Sequence, residues 1–179
     1  MKKIVTKIDK LMYLLVVSLI LSCCKLNSAK EDVTITVVKT NNNIPSEVFN
    51  KDSAYAFVEC QVEFGPRVPN TEAHRACAQY LTNKLEQFCD TIYLQETFLT
   101  AYNGDHLQVC NIIGVFNPDQ TRRVLLFAHW DSRPYSDRDP DVKNHYKPID
   151  GADDGASGVG VLLEIARQIS INEIGIGVD

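Results

Sequence analysis

The spacing of apolar positions along the chain changes near Asp90 and again near Arg122, and those changes divide it into elements. Between Thr71 and Phe88, the residues Ala73, Ala76, Cys77, Tyr80, Leu81, Leu85 and Phe88 recur at helical spacing, on one stripe of a helix capped by Asn70 or Thr71. That stripe is expected to be core. Ser53 to Phe64 reads as a shorter helix closed by Gly65 and Pro66. From Thr91 to Leu99 and from Leu107 to Phe116 the pattern suits strands, and the turn residues Asn103, Gly104 and Asp105 between them predict an antiparallel hairpin. After a polar turn, Val124-Leu125-Leu126-Phe127 is an unbroken apolar run, the pattern of a central strand covered on both faces. A loop of about twenty residues, Trp130 to Asp150, is rich in Asp and Pro, and loops of that length in compact domains are often functional. The next helix is expected to open near Gly155 and to carry Val159, Leu162, Leu163, Ala166 and Ile169, with another strand beginning at Val178-Asp179. Strand, loop and helix make one crossover unit of an α/β domain.

Ahead of these elements, Lys2, Lys3, Lys7 and Lys10 precede an apolar run from Leu11 to Leu21. At about eleven residues the run is too short to span a bilayer as a helix and fits a secretory signal. It ends in Ile20-Leu21-Ser22-Cys23, which resembles a bacterial lipobox, whose Cys becomes the lipidated first residue of the mature chain. A plain signal peptide with incidental cysteines is the alternative. Residues 25 to 50 are polar and Asn-rich apart from an alternating stretch, Val33 to Val38, that suits an edge strand. The expected organisation is thus a lipoprotein signal over 1–22, a tether and entry segment over 23–50, and the amino-terminal part of an α/β domain over 51–179. Such a protein is exported and held on the membrane through Cys23, facing the periplasm or the cell exterior.

The whole chain of 179 residues carries a formal charge of −5 and is 45% hydrophobic, which excludes a disordered chain and leaves room for one domain. Loss of the lysine-rich first 22 residues leaves a still more acidic body, which argues against a nucleic acid as partner. Cys60, Cys77, Cys89 and Cys110 show no CxxC spacing, hence no zinc-ribbon signal. Export permits disulfides, but Cys77 and Cys89 lie too far apart along one continuous helix, roughly 18 Å, to pair. Other pairings, or four buried thiols, stay open. Asp137, Asp139 and Asp141 alternate like the start of a calcium loop, yet Val142 and Pro148 stand where that loop requires Gly and Glu. Gly155-Ala156-Ser157-Gly158-Val159 lacks the last Gly of a nucleophile elbow, and no GK[ST] follows the glycines of 151–160. His74 reads as an exposed helix residue, and no partner is evident for His106 or His145.

Candidate chemistry gathers at the carboxyl end of the apolar strand, where ligands sit in open α/β sheets. His129-Trp130-Asp131 lies there, and the following helix opens with Gly151-Ala152-Asp153-Asp154-Gly155-Ala156-Ser157-Gly158. A neutral imidazole and carboxylates suit zinc, and a further carboxylate can hold the ring in its ligating tautomer. Asp154 is the best ligand candidate. On spacing alone a plainer reading serves slightly better: Asp153 or Asp154 caps the helix, and His129 ends the strand.

Resemblance adds weight to the zinc reading. His129-Trp130-Asp131-Ser132 followed by Gly-Ala-Asp-Asp154-Gly-Ala-Ser-Gly-Val resembles the paired signature of the zinc-dependent aminopeptidase superfamily. Phe64-Gly65-Pro66-Arg67-Val68-Pro69, Asn111-Ile112-Ile113-Gly114 and the stretch from His129 to Pro134 are similar to the animal-type glutaminyl-peptide cyclotransferases of bacteria, so that the likeness covers most of residues 55–179. The fold this implies is α/β, a partial doubly wound mixed sheet of the zinc-aminopeptidase type that stops before the later strands. The resemblance implies that Asp154 binds zinc and that Asp131 is the supporting carboxylate behind the ligands. His129 would be a ligand only in a two-metal aminopeptidase. It also implies a cis peptide at Asp154-Gly155. The Gly at 155, where aminopeptidases more often have Asn or Asp, favours the cyclotransferase. The implied activity converts N-terminal Gln of peptides or proteins to pyroglutamate with release of ammonia. The family's general-base glutamate and remaining zinc ligands fall after the position equivalent to Asp179, so the residues given are expected to form an inactive part of the site. A zinc aminopeptidase and a non-catalytic binding lipoprotein are the alternatives.

Overall fold

The computed structural model describes residues 49–172 and 174–179. The apolar run 11–21, the cysteine at 23 and the alternating stretch 33–38 lie outside the described residues. Helix α1 spans Lys51–Glu63, two residues earlier at its start than the spacing predicts. The Asn50 side chain accepts from the backbone N–H groups of Asp52 and Ser53 at 3.0 Å each, and so satisfies donors that the first turn leaves free. Helix α2, Glu72–Glu86, is capped by Thr71, whose hydroxyl accepts from His74 N at 3.2 Å. Asn70, the other cap candidate, instead clips the neighbouring strand: its Oδ1 accepts from Gln108 N at 2.8 Å and its Nδ2 donates to the His106 carbonyl at 2.9 Å.

Strands β1, Thr91–Thr100, and β2, His106–Val115, form the expected antiparallel hairpin, with Thr91 opposite Val115 and Thr100 opposite His106. Strand β3, Arg123–Val124, pairs in parallel with β4, Gly177–Val178. Phe116, just past β2, bridges antiparallel to Val178. Through that bridge the strands run in the order β1, β2, β4, β3, a mixed sheet whose parallel pair is joined by helix α3, Gly158–Ile171. This is the crossover unit of an α/β fold.

The core lies between the helices and one face of that sheet. Cys77 and Leu81 of α2 meet Val159 and Leu163 of α3, flanked by Phe57, Tyr80, Ile112 and Trp130. A second cluster joins Phe116, Val178 and Ala166. Helices α1 and α3 approach closely at Gly160, where a Cβ would stand 2.7 Å from Val58 Cγ2 and 2.8 Å from the Ala54 carbonyl. No helix of the described residues is long and apolar enough to cross a membrane.

Two expectations are corrected. The run Val124 to Phe127 is not a strand buried on both faces: the ladder assigns only Arg123–Val124 to β3, and Leu125 and Phe127 are 66% and 84% exposed. The chain stays extended, with Leu126 N donating to the Asp179 carbonyl, but among the described residues β4 is its only strand partner, so one edge and much of one face stand open. Helix α3 starts at Gly158 rather than near Gly155, because Asp154 (φ −85°, ψ 92°) and Gly155 (φ 107°, ψ −63°) leave helical geometry.

Candidate metal centre

The site begins with side-chain alternation past β3. Trp130 turns inward, donates from its ring N–H to the Cys110 carbonyl at 3.1 Å and stacks on His74, ring centroids 4.1 Å apart. His74 is therefore buried, at 6% exposure, and not the exposed helix residue its position suggests. Burial pushes the His74 imidazole below its ordinary pKa; Arg75 pushes the same way, while Asp131 pulls it up. With Trp130 facing inward, His129 and Asp131 on either side of it remain about half exposed.

Asp154 arrives from the other direction, on the irregular turn Ala152–Ser157. Its Oδ1 lies 3.0 Å from His129 Nε2. The opposite ring nitrogen, Nδ1, lies 3.2 Å from the Asp131 carbonyl oxygen and 3.5 Å from the Asp131 carboxylate. The structure thus brings together all three predicted residues, though Asp131 reaches the ring more closely through its backbone than through its side chain. Neither Asp153 nor Asp154 caps the helix: no side-chain cap bond is formed at the start of the turn or of α3. The plainer reading of these aspartates is thereby set aside. Peptide bonds among the described residues are all trans, so the cis bond expected at Asp154-Gly155 is absent. The direction change falls instead on Gly155, whose φ of 107° favours glycine. A Cβ there would stand 3.0 Å from the Asp131 carbonyl and 3.1 Å from the His129 ring, so the absent side chain is also what lets the ring lie between the two aspartates.

The donor chemistry suits a cation. A carbonyl oxygen can only accept, so Nδ1 holds its hydrogen toward Asp131. In a neutral ring Nε2 then presents a lone pair to a carboxylate oxygen 3.0 Å away, and two acceptors at that distance need a proton or a cation between them. Imidazole nitrogen and carboxylate oxygen are both zinc ligand types. The fit is partial: among the described residues no cluster of three or more His, Cys, Asp or Glu forms a complete metal site, whereas zinc takes about four ligands.

What supports these groups carries little signal in the sequence. Arg67 is fully buried. It donates from Nε to the Trp130 carbonyl at 3.0 Å, from Nη1 to the carbonyls of Gln61 and Gly65 at 3.2 and 3.3 Å, and from Nη2 to the Gly151 carbonyl at 2.9 Å. Gln61, also fully buried, donates to the carbonyls of Phe57 and Ala156. A lone Arg between two prolines carries no signal of burial, whereas the aromatic Trp130 beside His129 was a usable hint that its neighbours face out. The loop aspartates serve turns: Asp139 accepts from Asp141 N, and Asp141 accepts from Lys143 N to cap the short 3-10 turn Val142–Asn144. His145 Nε2 lies 2.9 Å from the Asp139 carbonyl. All four described cysteines are free thiols.

Comparison with known proteins bears on the fold and on the residues of the site. Residues 111–174 match the sequence profile of peptidase family M28, a segment that includes His129, Asp131 and Asp154. Solved structures similar to the chain include glutaminyl cyclases. The chain is similar to the crystal structure of the Tannerella forsythia glutaminyl cyclase (64% identity, TM-score 0.72), covering 73% of this chain and 45% of that one. It is similar to a Zn-dependent exopeptidase from Parabacteroides distasonis (63% identity, TM-score 0.72), covering 73% and 44%. It is also 27% identical over 104 residues to the glutaminyl-peptide cyclotransferase of Bos taurus, 58% of this chain and 27% of that protein. The chain therefore spans less than half the length of the relatives it matches.

Proposed function

We propose that these residues form part of a zinc-dependent glutaminyl-peptide cyclotransferase, which turns the N-terminal glutamine of peptides or proteins into pyroglutamate and ammonia. The observation that carries this reading is the pair His129 Nε2 and Asp154 Oδ1, 3.0 Å apart, with Nδ1 engaged by Asp131. Its support from relatives is the likeness to glutaminyl cyclases. In the reaction the α-amine bonds to the γ-carboxamide carbon, the C–N bond of the amide breaks, and one amine proton leaves with the ammonia. Zinc, when bound, supplies polarisation of the amide oxygen. Asp154 would hold it, and His129 either shares that task or orients the carboxylate. Asp131, through its carbonyl, fixes which ring nitrogen faces Asp154. Because amine and amide belong to one residue of substrate, the protein's chief tasks are orientation and charge stabilisation. Further ligands and the general base come from residues other than those described.

The likeness to a Zn-dependent exopeptidase favours a second reading, aminopeptidase activity. A chimera separates the two: residues 49–179 of this chain replace the corresponding segment of the Tannerella forsythia glutaminyl cyclase. Cyclisation of Gln-β-naphthylamide is the expected result. Release of leucine from a leucyl anilide without cyclisation would overturn it. We further propose export and lipid anchoring at Cys23, on the strength of the Lys-flanked apolar run and the Leu-Ser-Cys ending. Radiolabelled palmitate should enter the chain and fail to enter Cys23→Ala; equal labelling of both would refute the anchor.

A further inference from the structure

We infer that Arg67 is a positioning residue, a clasp that sets the distance between the His129–Asp131 loop and the turn bearing Asp154. The inference rests on the reading that His129 and Asp154 form one site. The two approach from segments more than twenty residues apart; Ile149 N donates to the Arg133 carbonyl at 3.2 Å just outside both, while Ala156 N bonds within its own turn to the Gly151 carbonyl, so no backbone bond among the described residues ties 129–131 directly to 151–157. Arg67 spans the gap. Its guanidinium takes the carbonyl of Trp130, the residue between His129 and Asp131, through Nε, and that of Gly151, three residues before Asp154, through Nη2. Its own carbonyl accepts from Ser132 N at 3.2 Å, so the loop is held from both sides. The remaining nitrogen reaches Gln61 and Gly65 at the end of α1, which anchors the clasp to the helix layer.

Planarity is the property in use. Carbonyls from three segments accept from one rigid fork, and a guanidinium presents its five N–H donors in fixed directions. Lysine keeps the charge but replaces the fixed fork with one ammonium whose three donors all leave from a single atom. Backing comes from Gly151 itself, where a Cβ would stand 3.0 Å from Arg67 Nη2 and 3.0 Å from Ser132 Cβ. The turn is packed against the fork with no space for a side chain. Burial lowers the pKa of the guanidinium while Cys77, Asp150 and Asp131 raise it, which accords with a cation enclosed on all sides.

The test is site-resolved amide exchange on the 179-residue chain, comparing wild type, Arg67→Lys and Glu164→Gln. Glu164 is equally buried and bonded, to Asn50 N, Arg167 and Gln168, but sits on α3 away from the site. In Arg67→Lys the amides of Ser132 and Ala156 should lose protection by roughly tenfold or more beyond any loss in α3. Glu164→Gln should show no such local excess. Uniform loss across the chain in both variants would overturn the clasp. Should Arg67→Lys fail to fold, wild type still decides: the Arg67 Nε–H should show the same opening equilibrium as the Ser132 and Ala156 amides once each rate is divided by its intrinsic exchange rate, and a much weaker protection of the guanidinium would overturn the inference. Zinc-induced shifts at 129–131 and 153–155, recorded in the same samples, test the site reading separately. Their absence in wild type would remove that reading and leave the exchange result standing.

Discussion

Replacing Gly155 by alanine puts the geometry of the candidate centre under direct strain. Two costs can be separated. The first is conformational, since a residue with a Cβ held at φ 107° loses about 1–3 kcal/mol relative to glycine. The second is steric: the added methyl would stand 3.0 Å from the Asp131 carbonyl, 3.1 Å from His129 Cε1 and 3.2 Å from His129 Nδ1. Overpacking of that kind costs about another 1–3 kcal/mol unless the ring moves. Gly65→Ala is the control, because Gly65 also has positive φ, 83°, with nothing within 4 Å of its Cβ position. Chemical denaturation followed by circular dichroism should place Gly155→Ala below Gly65→Ala by about 1–3 kcal/mol, several degrees in melting temperature. Equal destabilisation of the two variants would show that the ring and the Asp131 carbonyl do not press on Gly155, and the account of why the ring lies between two aspartates would fail.

Further expectations rest on other parts of the molecule. Because burial lowers the His74 pKa in the fold, the unfolded chain binds a proton at higher pH than the folded one. Stability is therefore full above the ordinary histidine pKa and falls as pH drops through it toward the folded value. His74→Phe, which keeps a ring against Trp130, should flatten that slope in urea titrations between about pH 7 and 5, and an unchanged slope would contradict the assignment. The open apolar face around Leu125 and Phe127, bordering a hollow of about 380 Å³, should bind a hydrophobic fluorophore; Phe127→Asp should reduce the signal, and undiminished fluorescence would argue against this face. Cys77, fully buried with its thiol pushed up to about 11 by burial despite Arg67 nearby, should resist a thiol reagent at pH 8 until the protein unfolds. Rapid modification in the native state would refute that burial.

Helix α2, the hairpin and the α3 stripe were readable because period and turn chemistry agree there: Thr71 at the cap, Asn103 to Asp105 between strands, and Val159 to Ile169 on one face. The run Val124 to Phe127 misled because an apolar run reports what a strand would bury, and the described residues pair it on one edge alone. His129, Asp131 and Asp154 were legible as residue types with a suggestive spacing, and the signature they share with a known superfamily raised them above a capping explanation. The supports were not legible. Arg67, Gln61 and His74 are polar residues whose burial depends on backbone carbonyls and on Trp130, partners that no local pattern announces. The helix start slipped from Gly155 to Gly158 for a related reason, since the backbone at Asp154 and Gly155 is set by the site rather than by helical propensity.

The central claim is that Asp154, with His129 beside it, forms part of a cation site, and the most direct measurement is a Zn²⁺ titration of the ¹⁵N-labelled chain followed by amide shifts. The account predicts saturable changes confined to residues 129–131 and 153–155, abolished in Asp154→Ala. Changes that spread elsewhere, or that persist in that variant, would contradict it.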